Sequence, residues 1–112
     1  MTQSITIKEL ENFLKDQNEM TLLDVRRRSD YLASSRIITS AVWQDPENID
    51  TWVKQLPTDR LTVVYCVKGG SVSRSVADRL QQEGLKTVFL EGGLNAWIEN
   101  SGRVEEIHPL KI

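Results

Sequence analysis

Leu61-Thr62-Val63-Val64-Tyr65-Cys66-Val67-Lys68-Gly69-Gly70-Ser71-Val72-Ser73 is the stretch on which the reading of this chain turns. Its first five residues form an apolar run that suits a buried strand. The glycines and serines after Cys66 read as a short loop, and Val72, Val76, Ala77 and Leu80 then recur at helical spacing. A helix is therefore expected from Val72 to Glu83, stopped by Gly84. Cys66 is the only cysteine in the chain. It stands where a strand ends and a glycine loop leads into a helix. Amides of such a loop and of a first helical turn lack backbone partners and can point at an anion. The same amides stabilise a thiolate. The competing reading is a buried core thiol, but glycines and polar residues follow at once.

Upstream and downstream, helical and strand patterns alternate. Thr6-Ile7-Lys8-Glu9 matches a capping box, with Ile5 and Leu10 placed as a hydrophobic staple, so a helix is expected over 7–15. Thr21 to Val25 reads as a buried strand that emerges at Arg26-Arg27-Arg28. Ser29 to Ser40 reads as irregular, with one helical turn near Asp30-Tyr31-Leu32, and Ala41-Val42-Trp43 as a short strand. Asp45-Pro46 opens a helix with Ile49, Trp52, Val53 and Leu56 on one face, ending before Pro57. Thr87 to Leu90 is a further strand, and Gly92-Gly93 turns into a last helix carrying Leu94, Trp97 and Ile98. Arg103 to Ile112 reads as a polar tail. This alternation predicts one domain over 1–112, a three-layer α/β/α sandwich with a mainly parallel central sheet. In such folds ligands sit outside the carboxyl ends of the strands.

The bulk numbers exclude several classes. The chain has 112 residues, 39% hydrophobic and 27% charged, with net charge −2, so no global basic field favours nucleic acid or a membrane surface. One cysteine and one histidine rule out an internal disulfide and zinc sites built from those residues; no metal and no cofactor are expected. Met1-Thr2-Gln3-Ser4 does not open like a signal peptide, and a reducing cytoplasm is the expected location. Charge is nonetheless uneven. Arg60, Lys68, Arg74 and Arg79 stand against Asp78 alone between residues 60 and 80, and four arginines stand against two aspartates between Asp24 and Arg36. Basic strand ends around a thiol suit a small anionic substrate.

These residues resemble the rhodanese (sulfurtransferase) homology domain over about 4–102. Leu22-Leu23-Asp24-Val25-Arg26 is similar to its opening strand, Val63-Val64-Tyr65-Cys66 with Gly69 to its active-site strand and loop, and Leu90-Glu91-Gly92-Gly93-Leu94-Asn95-Ala96-Trp97 to its closing motif. The resemblance implies a persulfide relay. A cysteine thiolate takes sulfane sulfur from thiosulfate or a similar small anionic donor and passes it to a thiol, to cyanide or to a protein acceptor, a covalent two-step route. Cys66 would be the nucleophile, and Val67, Lys68, Gly69, Gly70, Ser71, Val72 and Ser73 would line the donor site. Lys68 would meet the donor's charge. Ser71 and Ser73 either donate to a bound oxyanion or cap the helix. Arg74 and Arg28 are auxiliary candidates, whereas Arg27, Arg60 and Arg79 read as solvated charges. Asp24 and Arg26 read as structural, the three tryptophans as core or rim, and His108 as no general base.

Two features depart from the family's pattern. Arg36-Ile37-Ile38-Thr39-Ser40-Ala41 replaces a common His-Ile-Pro-Gly-Ala connection, and the register of Ala77 and Leu80 implies a Cys66 loop one residue longer than is common. Longer loops belong to phosphatases of this fold, which need an arginine where Val72 stands to grip phosphate bidentately. Sulfur transfer therefore ranks above oxyanion phosphatase or arsenate reductase chemistry. A non-enzymatic persulfide carrier or regulatory module is the other reading kept open.

Overall fold

The computed structural model describes residues 3–16 and 19–107. Its centre is a five-stranded, wholly parallel sheet built from β1 (Gln3–Ile5), β2 (Met20–Asp24), β4 (Val42–Trp43), β5 (Leu61–Tyr65) and β6 (Thr87–Leu90), in the order β1-β6-β5-β2-β4. β5 lies in the middle. Leu22 of β2 pairs with Val63, and Asp24 with Tyr65; on its other side Val64 pairs with Phe89 of β6.

Apolar side chains alternate between the two faces, as the strand period of two requires. Leu22, Val63, Tyr65 and Leu90 join Leu10, Leu94 and Trp97 in one core; Leu23, Val64 and Phe89 join Trp52, Val53, Val76, Ala77 and Leu80 in the other. The first core is covered by α1 (Ile7–Lys15) and α5 (Gly93–Glu99), the second by α3 (Ile49–Trp52) and α4 (Ser71–Gln82). That is the expected three-layer sandwich. Thr6 and Glu9 form the expected capping box on α1, and Ile5 and Leu10 are buried together. The helix expected after Pro46 is present as α3 flanked by two single 3₁₀ turns, Pro46–Asn48 and Val53–Gln55. No helix among the described residues is long and apolar enough to cross a membrane.

The chain departs from expectation in three places. Gln3–Ile5 is a strand, held parallel to Val88–Leu90 at the sheet edge. The segment read as irregular has its helical turn near Asp30-Tyr31-Leu32 as expected, within a six-residue helix, α2 (Arg28–Ala33), but it also contains a strand, β3 (Arg36–Ile38). The supposed tail is partly structured: β7 (Val104–Glu106) pairs antiparallel with β3 in a separate two-stranded ribbon. Trp97, fully buried, donates its indole N–H to the Arg103 carbonyl at 2.9 Å, which ties the ribbon to the core. His108 lies outside the described residues.

Candidate active site

Cys66 follows the last residue of the central strand, so its position is set by the most buried part of the sheet. Tyr65 is completely buried and Cys66 is 5% exposed. The loop after it is held from beneath by the opening of α5. The Cys66 and Val67 carbonyls accept from the Leu94 and Asn95 amides at 2.8 and 3.0 Å. Gly69, at φ +71°, approaches the Gly92-Gly93 turn so closely that a Cβ there would lie 2.7 Å from the Gly92 nitrogen and 2.9 Å from the Leu90 carbonyl oxygen. Only glycine fits such a conformation and contact. The Leu90–Trp97 motif therefore acts as the bed of the Cys66 loop.

With its first carbonyls turned to α5, the loop keeps its amides free. Among the described residues, the N–H groups of Val67 to Ser73 donate to no protein acceptor. α4 begins at Ser71 with Gly70 as its N-cap and no side-chain cap. This is one residue earlier than expected, and the loop between Cys66 and the helix is Val67 to Gly70. Neither serine caps the helix through its side chain. Ser73 is fully buried, and its hydroxyl oxygen lies 3.2 Å from the Cys66 sulfur and 3.4 Å from the Gly70 carbonyl. Its hydroxyl faces the thiol.

Cys66 borders a cavity of about 300 Å³ lined by the loop and by Arg26, Arg27 and Asp30. Lys68, Gly70, Ser71 and Val72 line it; Gly69 does not, being turned to the glycine bed. The two auxiliary arginines are elsewhere. Arg28 is exposed and absent from the lining, and Arg74 lays its guanidinium over Phe89, 5.0 Å from the ring centre. Arg27, read from sequence as solvated, takes the place expected for Arg28. The two are adjacent at the start of a short helix without apolar periodicity, so no sequence signal separates them. Asp30 was missed altogether; one turn on from Arg27, it shares that side of α2.

Asp24 and Arg26 support the site from below. Arg26, 1% exposed, places Nε and Nη2 on the Asp24 carboxylate, with Nη2 to Oδ2 at 2.6 Å. Asp24 also accepts from the Arg26 amide and the Tyr65 hydroxyl, and that hydroxyl accepts from the Ile38 amide. Burial, and next the Asp24 carboxylate, push the Tyr65 phenol well above its ordinary value. Arg26 is thus neutralised within the fold. Among the described residues Lys68 and Arg27 make no ion pair, which leaves two cations against Asp30 at the cavity.

The site is a lone thiol at the carboxyl end of the central parallel strand, followed by a loop whose amides have no protein acceptor among the described residues. The chain belongs to the rhodanese-like domain family, whose model matches residues 6–100. It is similar to the "Putative sulfurtransferase YtwF" of Bacillus subtilis, 30% identical over 95 residues, which are 85% of this chain and 89% of the relative. It is also similar to a protein of Allochromatium vinosum named sulfurtransferase, 27% identical across 87% of this chain and 89% of the other. Among solved structures, a rhodanese-related protein from Thermoplasma volcanium superposes with a TM-score of 0.79 at 28% identity, covering 92% of this chain and 97% of that one.

Proposed function

We propose that the protein is a sulfurtransferase that moves sulfane sulfur from thiosulfate, or a similar small anionic donor, to a thiophilic acceptor through a persulfide on Cys66. The observation that carries this reading is the unpartnered run of amides from Val67 to Ser73 around the single thiol. The thiolate attacks the outer sulfur of thiosulfate, the sulfur–sulfur bond to the sulfonate breaks, and sulfite leaves with the bonding pair. Charge then rests on the terminal sulfur of the persulfide, inside the same amide cradle, which needs no reorganisation to receive it. The Ser73 hydroxyl, by rotating from the Gly70 carbonyl, donates to the Cys66 sulfur. Lys68 and Arg27 attract the dianion at the rim. An acceptor thiolate or cyanide takes the outer sulfur and returns Cys66 as thiolate.

Phosphate chemistry lacks its clamp. Val72 occupies the cavity wall where an arginine would be needed, and the remaining cations reach the site from the rim. The test is intact mass after thiosulfate treatment, followed by steady-state turnover with cyanide. A gain of one sulfur, removed by a reductant, with multiple turnovers supports the proposal. The mass gain without turnover would identify a persulfide carrier instead, and no mass gain would refute sulfur transfer.

A further inference from the structure

The Cys66 cavity carries one charge that an anion site does not call for. Four charged residues line it: Arg26, Arg27, Lys68 and Asp30. Arg26 is neutralised by Asp24 at 2.6 Å, and Lys68 and Arg27 suit an anion. Asp30 does not. Its carboxylate is exposed and, among the described residues, makes no ion pair with either cation or with any other. It belongs to the thiol cavity and not to the neighbouring one between α4 and the segment Pro46–Ile49, although Arg27, Ser71 and Val72 border both. An unpaired carboxylate therefore stands in the wall beside the chain's one thiol. Two unpaired cations against one unpaired carboxylate leave the cavity wall with a side-chain excess of one positive charge.

We infer that Asp30 is a specificity-determining residue, a charge filter that lets singly charged molecules reach Cys66 more readily than doubly charged ones. A site discriminates by setting a like charge against the unwanted ligand as well as by contacts to the wanted one. Repulsion from Asp30 acts on each negative charge that enters, so a dianion is penalised about twice as much as a monoanion. One excess positive charge balances a monoanion and leaves a dianion half matched. The filter on the thiol stands on the cavity wall alone; its meaning for sulfur donors rests on the sulfur-transfer reading above. Under that reading a monoanionic thiosulfonate is the better matched donor, and thiosulfate is taken at a penalty. The Cys66 thiolate attacks the outer sulfur of either donor and the bond to the sulfonyl sulfur breaks. Sulfinate or sulfite leaves with the bonding pair, so no oxidant or reductant is consumed.

Alkylation of Cys66 by iodoacetate and by uncharged iodoacetamide tests the filter without any donor, and the ratio of the two rates cancels changes in the thiol's own reactivity. At physiological ionic strength Asp30→Asn should raise that ratio about twofold, the size of one exposed charge pair, and the gain should vanish in about 1 M salt. Asp30→Glu keeps the charge and should stay near wild type. Asp59→Asn makes the same change in net charge ahead of β5, whose far end leads into Cys66. The five residues of that strand, at about 3.3 Å each, exceed the screening length of about 8 Å, so this variant should leave the ratio unmoved. With cyanide as acceptor, Asp30→Asn should raise kcat/KM about fourfold for thiosulfate and about twofold for methanethiosulfonate. A ratio unmoved by Asp30→Asn, or moved equally by Asp30→Glu or Asp59→Asn, overturns the inference without touching sulfur transfer. Persulfide formation with equal gains for the two donors, or with none, overturns the donor preference. A ratio that moves as expected while neither donor adds sulfur to Cys66 overturns the sulfur-transfer reading and leaves the filter on the thiol.

Discussion

In the proposed transfer Cys66 is the nucleophile and Lys68 meets the donor at the cavity rim, and their substitutions should differ accordingly. Cys66→Ser removes the only thiol. It should abolish both the sulfur mass gain and cyanide turnover while thermal unfolding stays cooperative; retained turnover would exclude the relay. Lys68 lies at the cavity but is exposed, so solvent screens it. Lys68→Ala should lower kcat/KM for thiosulfate by about 1.5 kcal/mol, the low end for a hydrogen bond to a charged group and roughly tenfold in rate. The loss should shrink as salt rises, and steady-state series at two ionic strengths check both points. An unchanged kcat/KM would leave the amides and Arg27 to hold the donor. The position of the candidate thiol was legible from sequence because a strand, a glycine pair and a helical period all converge on it. Arg27 and Asp30 were not, because which of several neighbouring charges enters a cavity depends on the pitch of a helix too short to show periodicity.

Among elements, the Cys66 loop and the start of α5 behave as one unit. Gly69→Ala would place a methyl carbon against the Gly92 nitrogen and Leu90 carbonyl at a left-handed φ, so the loop must lift off its bed. Destabilisation of about 1–3 kcal/mol is expected, with the strained backbone as its cause. Persulfide formation should slow beyond what the change in stability explains, as read by urea unfolding beside single-turnover mass analysis. A Gly69→Ala variant with wild-type stability and rate would show that the glycine bed does not position the loop. The long helices and core strands were readable from period and caps. The three-residue strands were not. Gln3–Ile5 is too short to display alternation, and Arg36–Ile38 becomes a strand only because Val104–Glu106 folds back beside it from the far end of the chain. That pairing is tertiary, and no local window contains both partners.

At the scale of the whole molecule, the Asp24–Arg26–Tyr65 cluster joins β2, β5 and β3 beneath the site. Removing one member of a buried ion pair strands the other, so Asp24→Ala should cost about 3–5 kcal/mol, measured by denaturant unfolding. A loss below that of an exposed pair would contradict the cluster's structural role. Tyr65 adds a dependence on alkaline pH. Its phenol is held protonated by burial and by the Asp24 carboxylate, whereas the unfolded chain releases that proton near pH 10. Above that pH the unfolded state binds fewer protons than the folded state, so stability falls as pH rises; below it this contribution is fully present. The slope approaches about 1.4 kcal/mol per pH unit, and Tyr65→Phe should remove it from the unfolding free energy measured above about pH 10. A variant with the same alkaline slope as wild type would contradict this assignment. The recess that shelters Cys66 also governs how the protein ages in air. A disulfide between two copies needs Cβ atoms about 3.8 Å apart, an approach that the wall around a cysteine only 5% exposed denies to a twin molecule. With no second cysteine in the chain, a sulfenic acid on Cys66 finds no internal thiol to condense with. Oxidative wear should therefore run toward an irreversible sulfinate on single molecules rather than toward cross-linked pairs, and a thiol small enough to enter can restore Cys66 only while it is still a sulfenic acid.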